Sequence, residues 1–145
     1  MAFGSVSACR TSSLRRVATG VDPKRLAMIV AVLGRHARVA LGSADVFVNV
    51  AGGVRIDEPG ADLAVALAIA SAAKGVPTKE ALAVFGEIGL TGRLRPAAQA
   101  ERRLEECAKL GLKTVVVPAD TPSTRRKLEV LQAETLPKAI TAGLG

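Results

Sequence analysis

The chain has 145 residues and a formal net charge of +7; 49% of its residues are hydrophobic and only 2% are aromatic. This length suits one domain with a core of Val, Leu, Ile and Ala, and the scarcity of rings argues against a stacking platform for single-stranded nucleic acid. One histidine, His36, and two distant cysteines, Cys9 and Cys107, effectively exclude a zinc site and argue against a histidine-dependent nucleophile.

The basic excess indicates a polyanionic partner, with nucleic acid the first candidate, although a solvated basic surface would give the same count. No apolar run approaches the ~20 residues that a membrane span needs, and residues 1–20 lack the apolar segment of a signal peptide. We therefore expect a soluble, cytoplasmic protein that does not contact membranes and keeps its thiols reduced.

The first part of the chain divides into an arm and a helix. Residues 1–20 are rich in Ser, Gly and Arg without clear periodicity, so we interpret them as an arm or linker, with at most a short strand, ahead of a domain over residues 21–145. Asp22 as N-cap and Pro23 at the first helical position form a helix start. Apolar residues at helical spacing then predict an amphipathic helix from Pro23 to Val39.

The next stretch predicts a strand, a turn and a buried helix. Val46, Val48 and Val50 alternate with residues that are also mostly apolar, which predicts a central strand covered on both faces. An acidic Pro-Gly turn at residues 57–60 then leads into a helix over residues 61–74 that is apolar around its whole circumference.

The second half predicts alternating strands and helices, but residues 123–135 fit either a strand or a helix. The predicted elements are a buried strand over 82–88, a hairpin turn over 90–93 leading into 94–95, a helix from Pro96 that ends at Gly111, a strand over 114–117 and a terminal helix over 136–142.

Two groups of polar residues could carry chemistry. Asp57, Glu58 and Asp62 cluster at the start of the buried helix, where acids most often cap the helix and favour its positive end; the alternative is a divalent-cation site. Ser71 and Lys74 lie on one face of the same helix, but a Ser-Lys dyad needs a buried, neutral lysine, and Lys74 is at the helix end. The sequence has no phosphate loop for ATP or a dinucleotide.

Three motifs in order carry a resemblance: VNVAGG at residues 48–53, FGEIGLTGRLRP at 85–96 and AKLGLKTVVVP at 108–118. Together they resemble the C-terminal Lon-protease-like domain of the RadA (Sms) family of bacterial DNA-repair proteins, over about residues 15–118 and more weakly over the tail. The resemblance implies an α/β fold, a two-layer α+β sandwich like the proteolytic domain of Lon, in a superfold shared in outline with a ribosomal protein and GHMP-type small-molecule kinases.

The resemblance also implies that the protease site is degenerate. In Lon the nucleophilic serine lies in a Gly-Pro-Ser-Ala-Gly turn before a buried helix, and the matching turn of this chain places Gly60 there. The Lon lysine position, carried across with Leu104 aligned, falls on Glu101. Glycine has no nucleophile and glutamate is no amine base, so we expect a chain that is not an enzyme and has no catalytic residue, as in the RadA family.

What the family does implies partners for this chain. We expect a homo-oligomer, as a hexameric ring, that serves as scaffold and binds single-stranded or branched DNA during branch migration, with RecA as a partner of the full-length protein. ATP, Mg and Zn would belong to domains outside these residues, so no cofactor or metal is expected here. The basic residues that could contact DNA phosphates are Arg93, Arg95, Arg102 and Arg103 in one patch and Arg125, Arg126 and Lys127 in a second; the alternative for each patch is a solvated face or ion pairs between subunits.

Two alternatives remain open at this point. A stand-alone Lon-type Ser-Lys peptidase would need a serine in the turn after Pro59, or Ser71 as its nucleophile. A small-molecule enzyme on the related kinase superfold would need a Gly/Ser-rich phosphate loop, which the sequence lacks.

Overall fold

The computed structural model describes residues 4–10, 16–39, 41, 44–50, 58–122 and 127–145. Helices and strands are mixed along this part of the chain and include a parallel sheet, which confirms the α/β class. The helices are α1 (Pro23–His36), α2 (Asp62–Lys74), α3 (Ala100–Lys109) and α4 (Leu136–Gly143), with a 3-10 turn at Pro59–Ala61. The strands are β1 (Gly4–Arg10), β2 (Arg16–Thr19), β3 (Ala44–Val50), β4 (Leu82–Val84), β5 (Glu87–Ile88), β6 (Leu94–Arg95), β7 (Thr114–Pro118) and β8 (Glu129–Ala133).

The strand β3 is the middle strand of a sheet with the order β1-β3-β2. It runs antiparallel to β1, with Val6 opposite Val48, and parallel to β2, with Ala18 opposite Val48. The side chains of Val46 and Val48 are buried, whereas that of Phe47, on the other face, is 36% exposed. The predicted central position is confirmed, but the prediction that both faces of this strand are covered is wrong at Phe47.

Residues 4–10 and 16–19 lie in this sheet as β1 and β2, so strands are present where the prediction allowed a short one, and the division of the chain into an arm and a domain stays a prediction. Polar and apolar residues alternate there only over residues 5–8, and hydrogen bonds to the backbone of β3 hold both segments extended. The described part of the segment is therefore continuous with the sheet around β3.

A second sheet, with the order β4-β7-β8, is parallel throughout, and its middle strand β7 is buried along its length. The chain passes from β4 to β7 through the β5–β6 hairpin and α3, a crossover of the kind that parallel neighbours require. The ambiguous region resolves as a strand at Glu129–Ala133, with Val130 opposite Val115. Residues 123–126 of that region lie outside the described residues.

The predicted strand over residues 82–88 is two strands, because the chain bends after β4. Gly86 has a φ of 154°, and a Cβ there would lie 2.8 Å from Cγ of Pro118 at the end of β7. Beyond the bend, β5 pairs antiparallel with β6, with Ile88 opposite Leu94, which confirms the predicted hairpin.

Two helix boundaries differ from the sequence predictions. The start of α1 is confirmed, since Oδ1 of Asp22 accepts a hydrogen bond from the N–H of Lys24 at 3.2 Å, but α1 ends at His36 rather than Val39. The helix α3 begins at Ala100 instead of Pro96, because Gln99 adopts a left-handed φ of 57° that does not continue a helix.

The helix α2 lies in the larger core, where it packs against β1, α1 and α4. Side chains on several of its faces are buried, as predicted, including Leu63, Leu67 and Ile69. Helices α2 and α4 approach so closely that a Cβ at Gly143 would collide with Leu67. A second cluster involves α3 and the parallel sheet and contains Ala83, Phe85, Ala97, Leu104, Cys107, Val115 and Val117. In the ranges given above, no helix combines the length and apolarity of a membrane span.

Candidate functional site

Gly60, the position predicted to match the Lon serine, lies in the 3-10 turn that precedes α2 and is buried. The turn is tied to the bend after β4. The N–H of Gly86 donates to the carbonyl of Gly60 at 2.8 Å, and the N–H of Leu63 donates to the carbonyl of Gly86 at 3.1 Å. The turn therefore stands at the carboxyl end of a parallel strand, where α/β proteins often place their ligands.

No side chain fits at Gly60 without displacing its neighbours. A Cβ there would lie 3.0 Å from Cβ of Ala97, 3.3 Å from Nη2 of Arg103 and 3.4 Å from Oε1 of Glu58. The first two distances are shorter than an ordinary van der Waals contact, and a serine hydroxyl would need space beyond the Cβ. Neighbouring side chains, and not the backbone conformation of the turn, close this position.

Arg103, from the first turn of α3, covers Gly60 and is held by three contacts. Its guanidinium forms an ion pair with Glu58, its Nε donates to the carbonyl of Ala98 at 2.9 Å, and its Cζ lies 5.7 Å from the centroid of the Phe85 ring. Of the residues predicted to contact DNA, Arg103 is thus engaged with the protein itself.

Glu101, the position predicted to match the Lon lysine, supplies none of the three atoms that lie nearest to a Cβ at Gly60. It is exposed, and residues two apart on a helix differ in direction by about 200°, so Glu101 and Arg103 point to different sides of α3. The contact of Arg103 with the turn at Gly60 was not predicted from the sequence. Its neighbour Arg102 looks the same in sequence, and only the register of α3 distinguishes the two.

Asp62, the first residue of α2, is 2% exposed and pairs with Arg25 of α1. Nε of Arg25 donates to Oδ1 and Nη2 donates to Oδ2, both at 2.6 Å, in a bidentate contact. The N–H of Ile88 in β5 donates to Oδ2 at 3.3 Å. The hydrogen bonds to Asp62 raise the pKa of Arg25 above its ordinary value, against the opposing effect of burial. The carboxylate thereby joins α1, α2 and β5 beside the turn.

The acidic residues near the start of α2 have partners other than those predicted. Asp62 lies in the first turn, where negative charge is favoured, but the N-cap residue is Ala61, which makes no side-chain cap. Glu58 is paired with Arg103, and Asp57 lies outside the described residues. Among the residues that are described, no group of three or more His, Cys, Asp or Glu side chains is arranged to hold a metal ion.

Ser71 and Lys74 do not form a Ser-Lys dyad. The Ser71 hydroxyl donates to the carbonyl of Val76 at 2.6 Å, just after Gly75 ends α2. Lys74 is exposed at the end of α2, whereas the lysine of such a dyad must be buried. Cys107 is buried, and burial raises the pKa of its thiol, which disfavours the reactive thiolate.

The β5–β6 hairpin presents Arg93 and Arg95, two of the predicted DNA-contacting residues, and both are exposed. Its tip is closed by short backbone hydrogen bonds. The N–H of Gly89 donates to the carbonyl of Arg93 at 2.9 Å, and the N–H of Gly92 donates to the carbonyl of Gly89 at 3.0 Å.

The hairpin tip rests on the end of α1. Gly92 has a φ of 82°, and a Cβ there would lie 2.8 Å from Cβ of His36. Nε2 of His36 also lies 3.1 Å from the carbonyl oxygen of Leu90. The contact places the basic end of α1 next to the basic hairpin.

The other described basic residues of the prediction lie on other elements. Arg102 is exposed on α3. Lys127 is exposed ahead of β8, where the N–H of Glu129 donates to the carbonyl of Lys113 at 3.0 Å, so it lies at the amino ends of the parallel strands. The remaining two residues of that second patch, Arg125 and Arg126, lie outside the described residues.

Comparison with known proteins places this arrangement in a family. Residues 13–121 match the family model described as subunit ChlI of Mg-chelatase. The chain is 42% identical to the DNA repair protein RadA of Halalkalibacterium halodurans over 90% of this chain, 36% identical to that of Listeria monocytogenes over 96%, and 47% identical to that of Escherichia coli over 72%. It spans 29%, 31% and 23% of those relatives, which is less than a third of each.

These similarities confirm the resemblance to RadA that the three motifs indicate, and they extend it over most of the chain. Because the family model covers well over half of the residues, the chain belongs to the family of subunit ChlI of Mg-chelatase, with the DNA-repair protein RadA among its relatives.

Proposed function

We propose that this chain is a proteolytically inactive Lon-like domain of a RadA-type DNA-repair and recombination ATPase, in which it acts as an oligomerisation scaffold and a DNA-binding module. The similarity to RadA supports the DNA-repair context. The observation that carries the inactivity is the closure of Gly60 by Ala97 and Arg103. The proposal includes the Lon-like, two-layer arrangement of the ribosomal-protein and GHMP-kinase superfold.

The geometry favours this proposal over a stand-alone Ser-Lys peptidase. A peptidase of that kind needs a free hydroxyl beside a neutral amine. Here the turn carries a glycine covered by neighbouring side chains, and the hydroxyl of Ser71 donates a hydrogen bond to the carbonyl of Val76. We expect no cleavage of an unfolded protein substrate and no labelling by a serine-directed probe. Labelling that is lost in Ser71→Ala would contradict the proposal.

The DNA-binding part rests on Arg93, Arg95 and Arg102. All three are exposed, and none has a side-chain ion pair within the described part of the chain. Guanidinium groups in this setting contact phosphate without reading bases, and each phosphate neutralised adds about 0.7 to the salt dependence of binding to single strands and about 0.9 on duplex. Arg103 is left out of this surface, because its guanidinium is paired with Glu58.

Fluorescence anisotropy with labelled single-stranded and branched DNA, across a salt series, tests this part. The double variant Arg93→Gln/Arg95→Gln is expected to bind more weakly and to lower the slope by about 1.4 on single strands. The matched control, Lys79→Gln/Lys113→Gln, removes the same charge from exposed residues ahead of β4 and β7 and is expected to behave like wild type. Equal losses in both variants, or salt-insensitive binding, would contradict the proposal.

The scaffold part is tested by mass. We expect light scattering to detect a homo-oligomer, with six copies in a ring, whereas a monomer at high concentration would contradict the scaffold and leave the DNA part standing. In the whole protein we propose that other domains supply the ATP, Mg and Zn sites, that RecA is a partner, and that the assembly drives branch migration in the cytoplasm.

A further inference from the structure

The tip of the β5–β6 hairpin carries an exposed leucine. Leu90 is 74% exposed, compared with 59% for Leu110 and 36% for Phe47, the other large apolar residues exposed in the described part of the chain. A single exposed leucine is ordinary on a protein surface, so its meaning depends on what holds it and what surrounds it.

Leu90 stands on a rigid support. The hydrogen bonds of Gly89 and Gly92 close the tip, and the carbonyl oxygen of Leu90 lies 3.1 Å from Nε2 of His36. The tip is also held by the start of α4, since the N–H of Leu136 donates to the carbonyl of Gly92 at 2.8 Å. Because the support is already ordered, binding of a partner by this side chain does not carry the entropic cost of ordering a flexible loop.

Exposed cations flank Leu90. Arg93 and Arg95 follow it on the hairpin, and the contact between His36 and Gly92 brings the exposed Arg35 and Arg38 of the α1 end to the same region. No ion pair among the described residues neutralises these four arginines.

The acids nearby leave this charge in place. Glu87 is half-buried opposite Arg95, and Glu134, whose carbonyl accepts from the N–H of Leu94 in the stem, is 3.7 Å from Lys138. The hairpin and the adjoining end of α1 therefore combine an exposed leucine with four exposed arginines.

We propose that Leu90 is a wedge that enters between neighbouring bases where DNA strands separate, while the flanking arginines hold the phosphates on either side. The proposal rests on the DNA binding proposed above and names the side chain that would make the chain bind a fork more tightly than an intact duplex. Apolar side chains inserted at a base step unstack it, and unstacking costs least where the bases are already unpaired. Phosphate contacts alone would not distinguish a fork from a duplex in this way.

The test uses forked DNA with 2-aminopurine at the junction, whose fluorescence rises when the base unstacks. Wild type is expected to raise the signal and to prefer the fork. Leu90→Ala is expected to lose the signal and to lower the ratio of fork to duplex affinity roughly tenfold, because the wedge no longer buries its side chain. Its salt slope should not change, since no phosphate contact is removed. Leu90→Met should retain both properties.

Leu110→Ala is the matched control, because Leu110 is also an exposed leucine and lies beside the exposed Lys109. A junction signal that persists in Leu90→Ala, while Arg93→Gln/Arg95→Gln loses binding, would overturn the wedge and leave DNA binding standing. Absence of DNA binding in wild type would overturn both. Light scattering that shows dissociation of the Leu90→Ala oligomer, with fork preference retained, would assign Leu90 to a contact between copies and overturn the wedge.

Discussion

Nη2 of Arg103 lies 3.3 Å from the place that a Cβ on Gly60 would occupy. The glycine in the turn and the arginine on a later helix look independent in the sequence, but the arginine occupies space that a side chain at position 60 would need. The ion pair with Glu58 and the contact with the Phe85 ring keep the arginine there, so the space is held by the folded chain itself.

Substitution of Gly60 should destabilise the protein without creating activity. Gly60→Ala is expected to lower the free energy of unfolding by about 1–2 kcal/mol, because Ala97 and Arg103 must move. Gly60→Ser should cost more and still cleave no substrate. Urea denaturation followed by circular dichroism measures the stability.

The matched control for Gly60 is Gly34 in α1, where the nearest atom to a Cβ is 3.9 Å away. Gly34→Ala should raise the free energy of unfolding by up to about 1 kcal/mol, because alanine is the better helix former. Equal effects at the two glycines would show that position 60 is not closed.

The Arg25–Asp62 pair should respond asymmetrically to removal of its partners. Arg25→Met leaves a buried carboxylate without its cation and is expected to cost about 2–3 kcal/mol, less than for a fully buried pair because Arg25 is 32% exposed. Asp62→Asn leaves a cation that can turn to water and keeps an acceptor for Ile88, so it should cost about half as much. Equal losses in urea denaturation would argue against this account.

The contribution of Cys107 to the free energy of unfolding should decrease at alkaline pH. Burial raises the pKa of its thiol above the ordinary 9.0, so the unfolded chain ionises first. The contribution is complete below the ordinary value and is lost as the pH rises from there towards the raised folded-state value. Between neutral pH and about pH 10, wild type should lose more free energy of unfolding than Cys107→Ala. Parallel pH profiles for the two proteins would count against the effect.

Gly86 and Gly111 both have φ in the left-handed half of the map, but only Gly86 is crowded. A Cβ at Gly86 would lie 2.8 Å from Cγ of Pro118, whereas one at Gly111 would meet no atom within 4 Å. Gly111→Ala should cost about 1–2 kcal/mol from backbone strain. Gly86→Ala should cost about 3 kcal/mol or more, because the proline ring cannot swing away. Similar thermal midpoints for the two variants would contradict the predicted overlap.

Local chemistry explains what the sequence predicted well. Asp22 caps the helix that Pro23 begins, and the glycines at 89 and 92 close the hairpin, because each signal acts between residues close together in the chain. The buried helix α2 follows from its apolar circumference alone.

Long-range contacts explain what sequence reasoning missed. The segments at 4–10 and 16–19 are strands only because β3 pairs with both. Residues 82–88 form two strands because β4 pairs with β7, whereas β5 pairs with β6. The arginine over Gly60 could not be separated from Arg102, because the register of α3 depends on the left-handed Gln99 that precedes it.

The covered turn also sets an order on mutational change. A serine enters position 60 without strain only after both Ala97 and Arg103 have moved or become smaller. If Arg103 is shortened first, Glu58 loses its ion pair and the Phe85 ring loses its contact with the guanidinium. Neither step, nor the serine itself, gives a nucleophile without a neutral lysine beside it. Evolution of peptidase activity in this chain would therefore need several substitutions, and none of them alone would give activity that selection could favour.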